Sequence, residues 1–278
     1  MHCLRPILWG LVAFAQTNSM RIAILMTCYN RVETTLRCLE QLKVAAAQVA
    51  DAWFDVWLVD DASPDGTGDK VKAAYPEVNV IQSPGNLFWC KGMRLAWDKA
   101  VASGIEYDFY LWLNDDVMLK PDSIEEVLRD YENGGGVIVG RMSSDKAERE
   151  ESFGMRGDKG DWMNGNLVLV PREVYEKIGP IYDRYYHAYG DHDYGLMAKR
   201  AGFPLRVSSS FCGVCPEQPE RYHDITGRSL WGRLKLLFDP KGYNLHDAVL
   251  FRYRNWGIGM ACVCIAHMLV RVIFNAEK

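Results

Sequence analysis

Leu111-Trp112-Leu113-Asn114-Asp115-Asp116-Val117-Met118-Leu119 passes from an apolar run into two adjacent carboxylates and back again. A short apolar run bounded by polar residues reads as a buried strand. Two carboxylates buried side by side cost on the order of several kcal/mol per ion unless a cation or strong donors compensate. The pair is therefore expected at the carboxyl end of the strand, in the crevice where open α/β sheets bind ligands. Hard oxygen donors at such a point suit Mg²⁺ or Mn²⁺ carrying substrate phosphates. Taken alone, the same residues also read as a solvated turn before a helix start at Pro121-Asp122-Ser123.

Outward from this stretch the pattern alternates strand and helix. Ile22–Met26, Phe54–Val59, Val78–Ile81 and Phe109–Leu113 read as strands, and Thr34–Ala47 and Cys90–Ser103 carry helical spacing. Such alternation predicts an α/β fold with a mostly parallel central sheet flanked by helices. Loops that follow successive parallel strands collect on one edge, which brings Thr27-Cys28-Tyr29-Asn30, Asp60-Asp61 and Asn114-Asp115-Asp116 side by side. Beyond Gly134-Gly135-Gly136 the pattern changes. Val137–Arg141 and Leu167–Val170 read as strands and Arg172–Ile178 as a short helix. Tyr189-Gly190-Asp191-His192-Asp193 then leads into a helical run, Tyr194–Ala201.

The 278 residues, 49% hydrophobic and 24% charged, describe an ordinary globular chain with ample core. A net charge of −4 argues against nucleic acid as a partner, which would ask for a basic footprint. The charge is uneven, however. Residues 226–278 hold eight basic and three acidic side chains, a net +5 that leaves −9 on the rest. Within them Trp256–Val270 has no acidic or basic residue other than His267. Fifteen residues fall short of the ~20 that span a bilayer. An acidic body with a basic, apolar helical tail suits peripheral docking at an anionic membrane surface. Eight scattered cysteines fit reduced, buried thiols better than a disulfide framework, and Cys212-Gly-Val-Cys215 lacks the second pair of a zinc ribbon.

Five pieces in order and spacing resemble family 2 glycosyltransferases of the GT-A fold, especially bacterial members that build surface polysaccharides. They are Thr27-Cys-Tyr-Asn-Arg31; Val59-Asp-Asp-Ala-Ser63 with Asp65-Gly-Thr67; Gly85-Asn-Leu-Phe-Trp89 with Gly92-Met93; Asn114-Asp-Asp116; and Asp191-His-Asp193 running into Leu196–Gly202. The resemblance covers about Met20 to Phe211. Gly85–Trp89 has the look of rhamnosyltransferase-like relatives.

The resemblance implies an inverting, metal-assisted transfer of one sugar from a nucleoside diphosphate donor to a glycan or lipid-linked acceptor. Thr27, Tyr29 and Asp61 stand where the family holds base and ribose. An aromatic face can stack on a base and a carboxylate can accept from a pyrimidine N–H. Asn114-Asp115-Asp116 replaces the family's D-x-D-type motif, with Asp116 as metal ligand, Asp115 as donor contact and Asn114 in place of the commoner acid. Asp191 aligns with the base that takes the acceptor hydroxyl's proton. The residue before it, usually glutamate, is Gly190. Asp193 is a fallback base or acceptor contact, and His223 a candidate to complete the metal shell. Trp162 precedes a strand where relatives meet sugar or acceptor, and Asn86 and Lys91 are candidates for donor hydroxyls or phosphates.

The expected organisation is a GT-A domain over residues 20–225 and a membrane-associating tail over 226–278. Residues 1–19 read as a short signal peptide or as a start upstream of a natural first residue at Met20. Chemistry on cytoplasmic nucleotides favours the second, which places the enzyme in the cytoplasm at the inner membrane face. Two rival readings remain: an inactive nucleotide-sugar-binding accessory module, motivated by Gly190 and Asn114, and a sugar-phosphate nucleotidyltransferase. The latter asks for a glycine-rich phosphate loop after the first strand, which Thr27–Arg31 is not.

Overall fold

The computed structural model describes residues 19–143, 163–215, 225 and 227–274. Trp162, His223 and all but the last residue of the 1–19 leader lie outside them. One eight-stranded sheet runs through the molecule in the order β3-β2-β1-β4-β7-β6-β8-β5. Its first half is parallel: β3 (Asn79–Gln82), β2 (Ala52–Asp60), β1 (Met20–Cys28) and β4 (Phe109–Leu113). Helices α1 (Val32–Ala46), α2 (Thr67–Ala74) and α3 (Phe88–Ala102) connect these strands. The second half is mixed. β7 (Leu167–Pro171) runs antiparallel to β4, β6 (Val137–Ser143) antiparallel to β7, and β8 (Leu205–Val214) parallel to β6. The two-residue β5 (Met118–Leu119) closes the far edge antiparallel to β8.

The central strands β1, β4 and β7 are buried on both faces, which is why they read as continuous apolar runs. Successive side chains point to opposite faces. Along β1, Ile22, Ile24, Met26 and Cys28 enter one core with Leu39 and Leu42 of α1, while Ala23 and Leu25 enter the other with Met93 and Trp97 of α3. β4 divides likewise: Leu111 and Leu113 face the first core, and Tyr110 and Trp112 an aromatic cluster around Trp97 and Tyr194. Helices α4 (Ser123–Gly134), α5 (Arg172–Ile178) and α6 (Gly190–Arg200) complete the cover. The seven described cysteines are free thiols, five of them buried.

The C-terminal segment holds α7 (Leu230–Phe238) and α8 (Leu245–Phe274). Gly257, at φ 81° and ψ −176°, interrupts α8 in a conformation essentially reserved to glycine. The half before the break is built into the body, with Phe251 in the second core and Asp247 fully buried. The half after it exposes Ile258, Val263, Val270 and Phe274, and packs through Val272 on Leu236, Leu237 and Tyr243.

Candidate donor cleft and base

Parallel pairing of β1 with β2 and β4 lines up the three polar loops at one edge of the sheet. Between them opens a cleft of about 360 Å³, lined among others by Thr27, Tyr29, Asp61, Asn86, Asp115 and His187. Tyr29, 48% exposed, presents its ring to solvent from the first loop.

The two aspartates at the end of β2, Asp60 within it and Asp61 just beyond, divide the labour. Asp60 forms the turn, accepting from the Ser63 and Gly68 N–H groups. Asp61 accepts from the N–H groups of Leu87 and Phe88, at the start of α3, and from the Ser83 hydroxyl. An anion at a helix N-terminus is stabilised by the unpaired N–H groups there. Asp61 is thus fixed at the cleft wall. Asn86, at φ 62°, sits in the loop that brings those N–H groups to it.

Asp115 and Asp116 converge on one guanidinium nitrogen. Arg31 Nη1 lies 3.2 Å from Asp115 Oδ1 and 2.8 Å from Asp116 Oδ2. Thr35 donates a further bond to Asp115 Oδ2. The fit of a divalent cation follows from this arrangement, because a single positive group already bridges two hard carboxylates at the cleft. Asp116 and Asp115 would supply protein oxygens, leaving other positions to phosphate and water, as Mg²⁺ prefers. Among the described residues no group of three His, Cys, Asp or Glu side chains forms a complete metal cage.

Burial pushes the Asp115 carboxyl up to about 7, against the opposing pull of Arg31. Burial thus favours the protonated form. Its contribution is intact below the unfolded value near ~3.9 and is lost as pH rises through about 7. Asp115→Asn is expected to gain melting temperature relative to the parent as pH is raised from about 5 to about 8. Thermal unfolding across that range checks it, and a pH-independent difference would contradict the burial account.

Asn114 turns away from the cleft into a polar chain. Trp89 Nε1 donates to its Oδ1 at 2.6 Å and its Nδ2 donates to Asn166 Oδ1 at 2.7 Å. An amide can accept and donate at once, which an ionised aspartate cannot. The departure from the acidic first position thus has a local cause, the side chain of Asn114 being engaged on both sides by Trp89 and Asn166. Lys91 also points elsewhere, with Nζ 3.4 Å from the Tyr186 ring centroid.

Asp191 lies in the first turn of α6, whose N-cap is Tyr189, so its carboxylate is not the cap. One oxygen accepts from the Gly165 N–H at 3.1 Å and the other from the His192 N–H at 2.8 Å. Gly165 adjoins Asn166, so the chain from Trp89 through Asn114 ends beside this carboxylate. Asp191 remains 21% exposed. A Cβ at Gly190 would lie 2.7 Å from Cys90 Sγ and 3.4 Å from Cys90 Cβ. The family's glutamate is excluded there by packing. Asp193, by contrast, is buried and bound to Arg254 Nε at 3.0 Å and Asn255 Nδ2 at 2.7 Å. The expectation that it meets acceptor is corrected: it ties α6 to α8.

Sequence reasoning gave no site role to Arg31, Trp89, Lys241 or Asp247. Arg31 stood in the first loop beside the acid pair and could have been foreseen as its counter-ion. His187 is half-buried at the cleft, and its imidazole is held below its usual range by desolvation and by the charge of Lys241.

Solved structures of similar shape are glycosyltransferases. TarS from S. aureus, in complex with UDP-GlcNAc, superposes with TM-score 0.58 at 11% identity, over 91% of this chain and 82% of that one. Mannosyltransferase PcManGT from Pyrobaculum calidifontis, in complex with GDP-Man and Mn²⁺, gives 0.56 at 17% identity, over 93% and 78%. The curled sheet with its flanking helices is the GT-A architecture, and the chain is a glycosyltransferase. Residues 23–189 match Glycosyl transferase family 2, and the chain belongs to that family. That membership leaves no ground for the nucleotidyltransferase reading.

Proposed function

We propose that the enzyme is an inverting, divalent-metal-dependent transferase that moves one sugar from a nucleoside diphosphate to a glycan or lipid-linked acceptor in cell-surface polysaccharide synthesis. The observation that carries this reading is the convergence, beside one cleft, of Tyr29, Asp61 and the Asp115–Asp116 pair, with Asp191 tethered to Gly165. Tyr29 stacks on the base, and Thr27 and Asp61 hold base and ribose. Asp116 and Asp115 hold Mg²⁺ or Mn²⁺, with His223 a candidate third ligand. When bound, such a cation neutralises charge developing on the departing diphosphate. Asp191 takes the proton of the acceptor hydroxyl as its oxygen attacks the anomeric carbon from the face opposite the leaving group. The bond to the diphosphate breaks with its electron pair going to the phosphate oxygen. Trp162 supplies an apolar face for the acceptor sugar.

The lipid side of the proposal draws on the C-terminal segment. The described residues contain one helix long and apolar enough to cross a membrane, but Gly257 divides it. The uninterrupted apolar part, residues 258–274, is shorter than the ~20 residues of a span. Exposed Trp231, Phe238, Ile258 and Phe274 with flanking Arg233 and Arg271 suit a peripheral seat on an anionic inner leaflet.

Thermal unfolding against a panel of nucleoside diphosphate sugars, with and without Mn²⁺, tests the activity. One donor is expected to stabilise the protein by about 2.7 kcal/mol at a hundredfold excess over its dissociation constant, and only with metal present. Slow metal-dependent hydrolysis of that donor should accompany it. Binding without hydrolysis or transfer would return the accessory-module reading, and no stabilisation by any donor would overturn the proposal.

A further inference from the structure

We infer that the turn between α7 and α8 is a wall of the donor cleft, and that Lys241 on it contacts the anionic diphosphate of the nucleotide. This rests on the reading of the cleft as the nucleotide site. The turn lies some fifty residues beyond the stretch that matches the family, which ends at residue 189. Yet Lys241 lines the same cleft as Thr27, Tyr29 and Asp61. Its Nζ stands 5.6 Å from the Tyr29 ring centroid, at the group assigned to the base. Its charge is felt by His187 on the same cleft.

The turn is held rigidly enough to aim a side chain. Asp239 Oδ1 accepts from the Lys241 N–H at 2.9 Å, and the Asp239 carbonyl accepts from Gly242 at 3.0 Å and Asn244 at 3.2 Å. A Cβ at Gly242 would collide with the Leu236 carbonyl, so the close approach to α7 requires glycine. One fully buried carboxylate then bolts the turn to the body. Asp247 accepts from the N–H groups of Tyr186, His187 and Ala188 at 2.9–3.1 Å and from Asn244 Nδ2 at 2.6 Å. Three successive backbone N–H groups on one anion make a strong, well-oriented joint. The turn bearing Lys241 and the loop leading to Asp191 are fixed to each other through it.

A cleft whose other charged walls include Asp61 and Asp115, with Asp116 beside them on Arg31, needs positive charge to receive a diphosphate. Arg31 is committed to the acid pair. Lys241 brings a cation from a separate element, as a flexible point charge suited to phosphate oxygens.

Calorimetric titration of the full chain with UDP and GDP, and with uridine and guanosine, in saturating Mn²⁺ tests this contact. Lys241→Gln is expected to weaken the preferred diphosphate ~10-fold, as for loss of one charge-assisted bond, and to leave its nucleoside unchanged. The variant's diphosphate affinity should also fall less steeply with added salt, while Lys241→Arg should restore most of the binding. Undiminished diphosphate affinity in Lys241→Gln, or an equal loss for the nucleoside, would overturn the contact while leaving the donor site standing. Failure of the parent chain to bind any of the four would overturn the donor-site reading and this inference with it. Lys241 is only half-buried, so equal melting temperatures of variant and parent certify the comparison.

Discussion

Asp191→Asn should lower sugar transfer by ~10²–10⁴-fold, the usual contribution of a positioned general base, while donor affinity stays within about twofold of the parent. The asymmetry follows from the geometry. The carboxylate accepts from Gly165 N–H and His192 N–H. An amide oxygen can accept from Gly165 as the carboxylate does, so the loop from Asn164 to Asn166 is expected to keep its place. What vanishes is the ability to take a proton from the acceptor hydroxyl. Asp193 offers no substitute, since Arg254 and Asn255 occupy its carboxylate in the interior. Initial rates with the donor found by thermal screening, beside calorimetry on the same variant, separate the two quantities. Near-parental turnover would remove Asp191 from the reaction.

The second large effect is expected at Asp116. Asp116→Ala should abolish the metal dependence of nucleoside diphosphate binding, with a loss of at least ~100-fold, beyond the range seen when outer partners of a metal ligand are removed. Arg31 would then be left with Asp115 alone, and a cation at the cleft would lose one of two carboxylates. Titration of UDP or GDP with and without Mn²⁺ reads this out. In the parent the two affinities should differ widely, and in the variant they should coincide. An unchanged metal-dependent titration would move the cation site elsewhere. The nucleoside alone serves as control, because its contacts with Tyr29 and Asp61 involve no phosphate.

Much of the frame was legible because it obeys local rules. β1 and β4, buried on both faces, announce themselves as apolar runs, as does β2 through its alternating buried positions, and parallel alternation dictates that the loops after them share an edge. β8 was missed because Ser208-Ser209-Ser210 interrupts its apolar pattern. There the structure satisfies a strand near the sheet's edge with carboxylates of α4, Glu126 to Ser210 N–H and Asp130 to Ser209. α2 was hidden behind its own turn-rich start at Ser63–Thr67.

Within the site, short-range inference also reached a limit. That Asp60 rather than Asp61 makes the turn depends on which carboxylate the start of α3 meets, a choice no spacing reveals. Asn114 looked like a weakened metal motif until Trp89 and Asn166 came to either side of it, and Gly190 looked like an erosion until Cys90 filled the space above it. Lys241 and Tyr29 are some two hundred residues apart, and nothing in either neighbourhood announces the other. Asp247, in a segment expected to be a membrane tail, is the same case: its partners are backbone groups, which leave no signature in side-chain chemistry.

The break at Gly257 makes one backbone unit the joint between the half of α8 built into the body and the half that exposes Ile258, Val263, Val270 and Phe274. The cleft, Asp191 and the turn bearing Lys241 are all set on the body side, fastened through Asp247, while the helix beyond the break folds back through Val272 onto Leu236, Leu237 and Tyr243. The direction in which that apolar half leaves the body is written in two dihedral angles of a residue that has no side chain.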